Sequence, residues 1–349
     1  MKVMLAMSGG VDSSVAGALL IEQGHDVVGV TMRLWGGDSD TGCCSVSDVD
    51  DARRVAQQLG IDHHVFNFGD DFRAHVVDPY VAAHASGITP NPCIECNRHL
   101  KFDRLLERAD ILGFDAVATG HHARIERDGS GWRLRRGADA DKDQSYVVHM
   151  LDQASLARTL FPVGEVTKAE VRARAARLGL RTAAKPDSQD VCFITSTGGR
   201  ETFLGTRIPL RPATVVDRDG HRLGEVDAVE LVTVGQRRGL TLAGAPERRF
   251  VLDVDVGAAT VVVGTAADLL RSHEAVTGLT WTDEPVDGAV LVQTSVHGVA
   301  QPAVLEPGPS PTGATLRWLT PQRRVAPGQS AVLYDTADRT VLGGGRITP

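Results

Sequence analysis

Short apolar runs alternate with helix-period segments through the first half of the chain. Val3-Met4-Leu5-Ala6-Met7 is a continuous apolar run that ends at Ser8-Gly9-Gly10. A run this short, bounded by Gly, fits a strand buried on both faces. Val15-Ala16-Gly17-Ala18-Leu19-Leu20 then reads as a helix. Asp26 to Met32 repeats the strand pattern, and Val49, Ala52, Val55, Ala56 and Leu59 share one helical face, with Gly60 as the stop. His64 to Phe68 and Asp115 to Thr119 are further strand candidates, the second running into Gly120-His121-His122. Thr167-Lys168-Ala169-Glu170 is a capping box ahead of Val171, Ala175 and Leu178, and Gly179 ends that helix. Such alternation predicts a parallel sheet with helices on both faces. Ligands of such sheets sit beyond the carboxyl ends of the strands. The Ser8 loop, Met32 and Gly120-His121 all fall there.

After about residue 195 the period changes. Thr214-Val215-Val216, Val232-Thr233-Val234 and Val261-Val262-Val263 are β-branched runs separated by turn signals such as Asp219-Gly220. From Ala275 onward short strands alternate with Pro-Gly and Gly-rich turns, among them Pro307-Gly308-Pro309 and Gly343-Gly344-Gly345. The fold class is therefore α/β: a parallel-sheet nucleotide-binding domain over 1–195, then two small, mainly β domains over 196–272 and 273–349, the last a β-barrel.

Composition narrows this picture. At 349 residues the chain exceeds one ordinary core. No stretch approaches the roughly 18 apolar residues of a membrane span. The first strand begins at once and leaves no room for a signal peptide, which points to the cytoplasm. Five cysteines, an odd number in a long chain, argue for catalytic, redox or metal-binding thiols over a disulfide framework. The net charge of −7 gives no global basic field, so any nucleic-acid contact must be a local stripe. Of 37 basic side chains only five are Lys.

The chemistry begins at Ser8-Gly9-Gly10-Val11-Asp12-Ser13-Ser14. Glycines let backbone approach a ligand, and a helix start points N–H groups at an anion. The serines add hydroxyls, and Asp12 adds a carboxylate able to hold a metal ion. No GK[ST] follows, so this is not a Walker A loop. The string resembles the pyrophosphatase loop of the ATP pyrophosphatase superfamily, whose members cleave ATP to AMP and pyrophosphate.

Sulfur chemistry is the second signal. Thr89-Pro90-Asn91-Pro92-Cys93-Ile94-Glu95-Cys96 carries two prolines and reads as an exposed loop leading into a helix with Phe102, Leu105 and Leu106. Cys96 lies near that helix start with Arg98, His99 and Lys101 close by, surroundings that favour a thiolate. Cys93-x-x-Cys96 is also a zinc spacing, although no second pair follows at finger spacing. Cys192, in Asp187-Ser188-Gln189-Asp190-Val191-Cys192-Phe193-Ile194, stays open between a reactive thiol and an inert buried one. Adjacent Cys43 and Cys44 read as structural or incidental.

SGGVDSS, TPNPCIECNRHLKF, ATGHHARI, KDQSYVVHML, KPDSQDVCFI and VTVGQRRGL occur in this order. Together they closely resemble the tRNA-specific 2-thiouridylase family, which thiolates C2 of the wobble uridine, and the resemblance runs the length of the chain. It implies ATP at Ala6, Met7, Ser8, Gly9, Gly10, Val11, Asp12 and Ser13, with Met32 and Gly120 touching the nucleotide and Mg²⁺ on the phosphates. It implies Cys96 as nucleophile and Cys192 as persulfide carrier, with a Cys96–Cys192 disulfide left after transfer. Asn91, Pro92 and Cys93 match the segment beside the target base. His121, Lys142, Asp143, Gln144 and Gln329 match tRNA-contact positions. The implied partners are tRNA and a sulfur donor, either a cysteine desulfurase or a sulfur-relay protein.

Three departures stand out. Cys93 occupies a position where many family members carry Asp, a His upstream of GQRRGL is replaced near Val226, and an Arg-Tyr pair is replaced by Ser295-Val296, for which Arg317, Arg323 and Arg324 could substitute. Cys93, Cys96 and Cys192 would also suit an iron–sulfur cluster with one open site. An amide-forming synthetase using the same loop, or a noncatalytic RNA-binding module, are the remaining readings.

Overall fold

The computed structural model describes residues 1–35, 46–129, 131–187, 191–194, 198–242 and 248–349. Cys43, Cys44 and the Ser188-Gln189-Asp190 part of the Cys192 motif lie outside the described residues.

The first sheet has five parallel strands in the spatial order His63–Asn67, Asp26–Arg33, Lys2–Ala6, Ala116–Ala118 and Thr159–Leu160. Lys2–Ala6 is central because it is apolar on both faces. Met4, on one face, packs with Val30, Phe72 and Leu100. Val3 and Leu5, on the other, pack with Val15, Ala16 and Leu20 of the helix Val11–Glu22. The chain leaves Lys2–Ala6 in one direction across the sheet and later returns on its other side at Ala116–Ala118. That switch in strand order opens a crevice above the two carboxyl ends. Ala52, Val55 and Ala56 of the helix Val46–Leu59 are buried, as their spacing predicts. The capping box is present, with Thr167 Oγ1 receiving the Glu170 amide and Glu170 Oε2 receiving the Thr167 amide.

Two local expectations fail, and one element is unforeseen. The helix carrying Phe102 begins at Pro92, so Cys93 and Cys96 sit on a helix and not in an exposed loop. Pro92 takes the first helical position, where its missing N–H costs nothing, and Asn91 caps it. Val232–Val234 forms no strand; it follows a short 3₁₀ turn, Val229–Leu231, and Val232 is buried as core filler. An antiparallel hairpin, Ala123–Asp128 with Gly131–Arg136, was not anticipated.

The middle domain is a five-stranded sheet around Val215, Val229, Val251 and Val261. Phe203 and Leu204, on the helix Gly199–Gly205, still belong to the first core. The C-terminal strands run Leu270–Trp281, Ala314–Arg323, Gln301–Pro307, Gly288–Gln293, Ser330–Tyr334 and Thr340–Ile347. The last pairs back onto the first, with Val276 opposite Ile347, and closes a six-stranded barrel. The hairpin from the first domain adds to the same sheet, Leu134 opposite Val341 and Arg135 opposite Thr340.

Candidate active site

The crevice is floored by the loop between Ala6 and Val11. Gly9 has φ +71°, and a Cβ there would run into the main-chain oxygen of Asp48. Gly10 occupies the cap position of the helix Val11–Glu22 without a side-chain cap. The helix start therefore keeps its N–H groups for an anion. The serines brace the loop from inside. Ser14 Oγ donates to Gly10 O at 2.7 Å, and Ser13 Oγ receives the Ser8 amide at 3.2 Å. From above, Lys185 Nζ donates to Gly9 O at 2.9 Å while paired with Asp48 and Asp51 at 2.6 and 2.7 Å. Gly120 closes the other side, where a Cβ would lie 2.7 Å from the Ser13 amide nitrogen.

Asp12, in the first turn, is the hub of a charge network. Lys168 Nζ reaches its two oxygens at 2.8 and 2.7 Å, and His122 Nε2 lies 3.0 Å from Oδ1. Burial pushes the Asp12 carboxyl up, but the bonds from His122 and Lys168 outweigh it and hold the group below its ordinary range. Asp187 receives Lys168 at 2.8 Å, Lys142 at 3.0 Å and Arg172 at 2.8 Å. Its partial burial opposes ionisation, yet Lys168 and Lys142 bring its carboxyl down to about 2. An ionised Asp12 at an anion loop is a hard oxygen donor of the kind Mg²⁺ takes together with phosphates. Sequence reasoning missed this network, reading Lys168 only as part of a cap. A signal existed, since three of the five lysines in an Arg-rich chain, Lys142, Lys168 and Lys185, converge here.

Cys96 and Cys192, far apart in sequence, belong to one apolar cluster. Cys96 is buried in it with Ala6, Met32, Leu100 and Phe193, and half-buried Cys192 packs against it. Ala6 ends one strand and Met32 stands next to last in its neighbour, so the cluster that holds the thiols reaches the carboxyl ends of the two strands beside the nucleotide loop. Cys93 is exposed one turn before Cys96. Among the described residues, the side chains converging closely enough to share a single metal ion are Asp217, Asp219 and His221. The Cys93–Cys96 pair thus belongs to no zinc site of three or more described side chains.

Family profiles match the chain in three consecutive pieces. Residues 1–196 match the tRNA methyl transferase HUP domain, 201–265 the tRNA methyl transferase PRC-barrel domain, and 272–347 the aminomethyltransferase beta-barrel domain. The tRNA-specific 2-thiouridylase MnmA of Roseiflexus castenholzii is 46% identical over 99% of both chains. That of Mycobacteroides abscessus is 47% identical over 100% of this chain and 99% of its own. The chain belongs to the tRNA-specific 2-thiouridylase family. A solved 4-thiouridine synthetase–RNA complex with bound ATP aligns at 20% identity and a TM-score of 0.36. It covers 55% of this chain and 44% of that one.

The positions that family resemblance assigns to tRNA fall into two groups in this thiouridylase. Asn91 and Gln329 lie at a junction, where Asn91 Oδ1 receives the Cys93 amide and Gln329 Nε2 donates to Thr89 O. Cys93 is exposed beside them, while His121 and Pro92 are buried and Lys142, Asp143 and Gln144 are tied into the first domain by their own bonds. His121 is buried between Phe102 and Phe161 and bonds Thr119, and burial drives its pKa far down, leaving it neutral. Asp143 is 6% exposed and binds Arg136, the Gly137 amide and Ser145. Gln144 Oε1 receives the His122 amide, and Lys142 pairs with Asp187. Of the arginines set against the Ser295-Val296 departure, Arg317 pairs with Glu306, Arg323 covers Phe250 and Arg324 donates to Leu252 O. Arg323 and Arg324 thereby join the barrel to the middle domain.

Among the described residues no helix is long and apolar enough to cross a membrane.

Proposed function

We propose that this enzyme installs sulfur at C2 of the wobble uridine of tRNA in the cytoplasm, using ATP and two cysteines in sequence. The uridine O2 attacks the α-phosphorus of ATP. The bond to pyrophosphate breaks, its electron pair leaves with pyrophosphate, and the uracil N3 proton goes to solvent. Mg²⁺, held by Asp12 and the phosphates, would screen charge and polarise the phosphorus centre. A sulfur donor, a cysteine desulfurase or a relay protein, loads Cys192 as a persulfide. The terminal sulfur attacks C2 and AMP departs with the C2–O electron pair. The Cys96 thiolate then attacks Cys192 Sγ. That S–S bond breaks toward the base sulfur, N3 regains a proton, and a Cys96–Cys192 disulfide remains for an external thiol to reduce. Turning the base out of an anticodon loop costs little.

The observation that carries this reading is the shared cluster of Cys96, Cys192, Ala6 and Met32. It supports sulfur transfer beside the nucleotide loop, which an amide-forming synthetase would not need. Persulfide mapping by mass spectrometry, beside single-turnover thiolation, tests it. Cys192→Ser should release pyrophosphate but accept no sulfur. Cys96→Ser should carry a persulfide on Cys192 and make no product. Persulfide loading on Cys96 in Cys192→Ser would reverse the order of the thiols.

A second reading is favoured by Cys93, which stands three residues before Cys96 on one helix. Cys93, Cys96 and Cys192 would hold an iron–sulfur cluster, which would supply an open iron position for a sulfur ligand.

A further inference from the structure

Asn97 follows Cys96 directly and is buried, only 2% exposed. Its Nδ2 donates to Val147 O at 2.7 Å. Among the described residues its Oδ1, also buried, has no partner. An acceptor stranded in this way costs more than an apolar side chain of similar shape would. Leu would fill the space without that cost, so the position calls for the donor arm and not for the volume.

What the donor arm fixes is the rotation of the cysteine helix. Ile94 and Phe102 belong to the cluster shared with Tyr146 and the barrel, while Cys96 and Leu100 belong to the cluster that reaches Ala6 and Met32. The chain winds as an α-helix over Pro92–Glu95 and as a wider π turn over Cys96–Arg104. A π turn is uncommon, recurs at functional sites, and depends on its surroundings to hold it. Relaxation to α spacing would change the angle between Cys96 and the residues after it, and one of the two faces would lose its register. Asn97 pins the first turn of that segment. Val147 is itself well held. It lies in the 3₁₀ turn Ser145–Val148, whose Tyr146 hydroxyl donates to Ser330 O at 3.1 Å and whose Ser145 hydroxyl lies 3.0 Å from that of Tyr334. On the other side, Gln144 O receives the Val147 amide at 3.1 Å, and Gln144 exchanges bonds with His122, the partner of Asp12. One bond thus refers the cysteine helix both to the barrel and to the nucleotide loop.

We infer that Asn97 is a positioning residue for Cys96, setting the direction from which its thiolate attacks Cys192 Sγ. This rests on the two-thiol reading above. In that step the new bond joins Cys96 Sγ to Cys192 Sγ. The bond from Cys192 Sγ to the base sulfur breaks, and its electron pair stays on the base sulfur. A thiolate turned away from that line leaves the base joined to Cys192 through two sulfurs. A small external thiol needs no such aim and would cleave the same bond.

The test uses the full-length protein with tRNA and ATP, Cys192 loaded with persulfide, in a single turnover without added thiol. Asn97→Ala should release pyrophosphate and load persulfide as wild type does, yet thiolate at least about tenfold more slowly, the effect of a misaimed group. A covalent tRNA–protein adduct should accumulate on a denaturing gel, and dithiothreitol should convert it to thiolated tRNA. A residue that merely supports the fold would lower every step together and would not be rescued by a thiol. Wild-type thiolation by Asn97→Ala, or loss of pyrophosphate release in step with thiolation, overturns the assignment. Should Asn97→Ala fail to fold, Asn97→Asp decides by the same assay, since it keeps the shape and loses the donor. Cys96→Ser run in parallel separates the two readings. An adduct in Cys96→Ser but none in the Asn97 variant overturns the positioning role alone, whereas none in Cys96→Ser overturns the two-thiol reading.

Discussion

The side-chain amide of Gln329 donates to the main-chain oxygen of Thr89 across 2.6 Å, joining the C-terminal barrel to the segment that leads into Asn91 and Cys93. Thr89 is held twice more, its amide by Pro327 O at 2.9 Å and its hydroxyl by Thr233 of the middle domain at 3.2 Å. All three domains therefore meet at one residue, two positions before the cap of the cysteine helix. Gln329→Ala should lower single-turnover thiolation about tenfold, the effect of a misplaced reacting group, with ATP affinity unchanged. Equal losses in ATP affinity and thiolation would show that Gln329 acts on the whole fold.

Gly120 packs against the loop helix so closely that a methyl group must displace it, with Asp12 C at 2.9 Å and Ser13 N at 2.7 Å from the added carbon. Gly120→Ala should cut pyrophosphate release by more than about tenfold and leave Cys192 able to accept a persulfide, since the displacement lies at the anion loop. Persulfide loading lost in step with pyrophosphate release would contradict a local effect.

Two imidazoles are buried where domains meet. His84 bonds Glu230 O of the middle domain, and His149 lies beneath Gly344 of the barrel. Burial lowers both from 6.5 to about 4. Between those values the unfolded chain takes up protons that the folded chain refuses. Stability is thus complete above pH 6.5 and falls as the pH drops toward 4. Thermal melts across this window should show a declining Tm, with a shallower slope in His149→Gln. An unaltered slope in that variant would remove His149 from the account.

Arg136 stacks over the Tyr334 ring at 3.7 Å and pairs with Asp143 at 2.7 Å and Asp338 at 2.6 Å. Removing one partner of a mostly buried pair typically costs about 3 kcal/mol. Arg136→Met should therefore lower the melting temperature and separate the barrel's transition from that of the first domain in calorimetry. A single transition at the wild-type temperature would show that the interface does not depend on this residue.

Cys93 separates the two sulfur mechanisms. If Cys96 and Cys192 act alone, Cys93→Ser should retain most of its thiolation. If a cluster operates, all three serine variants should lose iron and activity together. Iron content measured on anaerobically purified protein beside activity distinguishes them.

The strand–loop–helix at the N-terminus was legible because every feature of it is local: apolar run, glycines, helix spacing. The ends of Asp26–Arg33 and Ala116–Ala118 were legible for the same reason. The hairpin of residues 123–136 was not. Its charged Arg124, Glu126, Arg133 and Arg135 give little apolar signal, and the strand that justifies it, Thr340–Ile347, comes at the end of the chain. The helix start at Pro92 was misjudged because proline was weighed as a breaker and not as a first residue. Spacing alone left Cys192 undecided; its packing against the Cys96 cluster is a tertiary fact.

That hairpin bears on how such an enzyme can be taken apart. Leu134 and Ile125 pack in one cluster with Val332, Tyr334 and Val341 of the barrel, so the boundary between the first and last domains is itself a core. A fragment beginning at residue 273 would carry an open strand edge at Thr340 and Val341 and a bare apolar face, the conditions that favour self-association. The barrel shares its sheet and its core with a hairpin of the first domain and is not an exchangeable module. A graft of a foreign barrel onto this chain would succeed only if it brought a matching strand edge for residues 134 and 135.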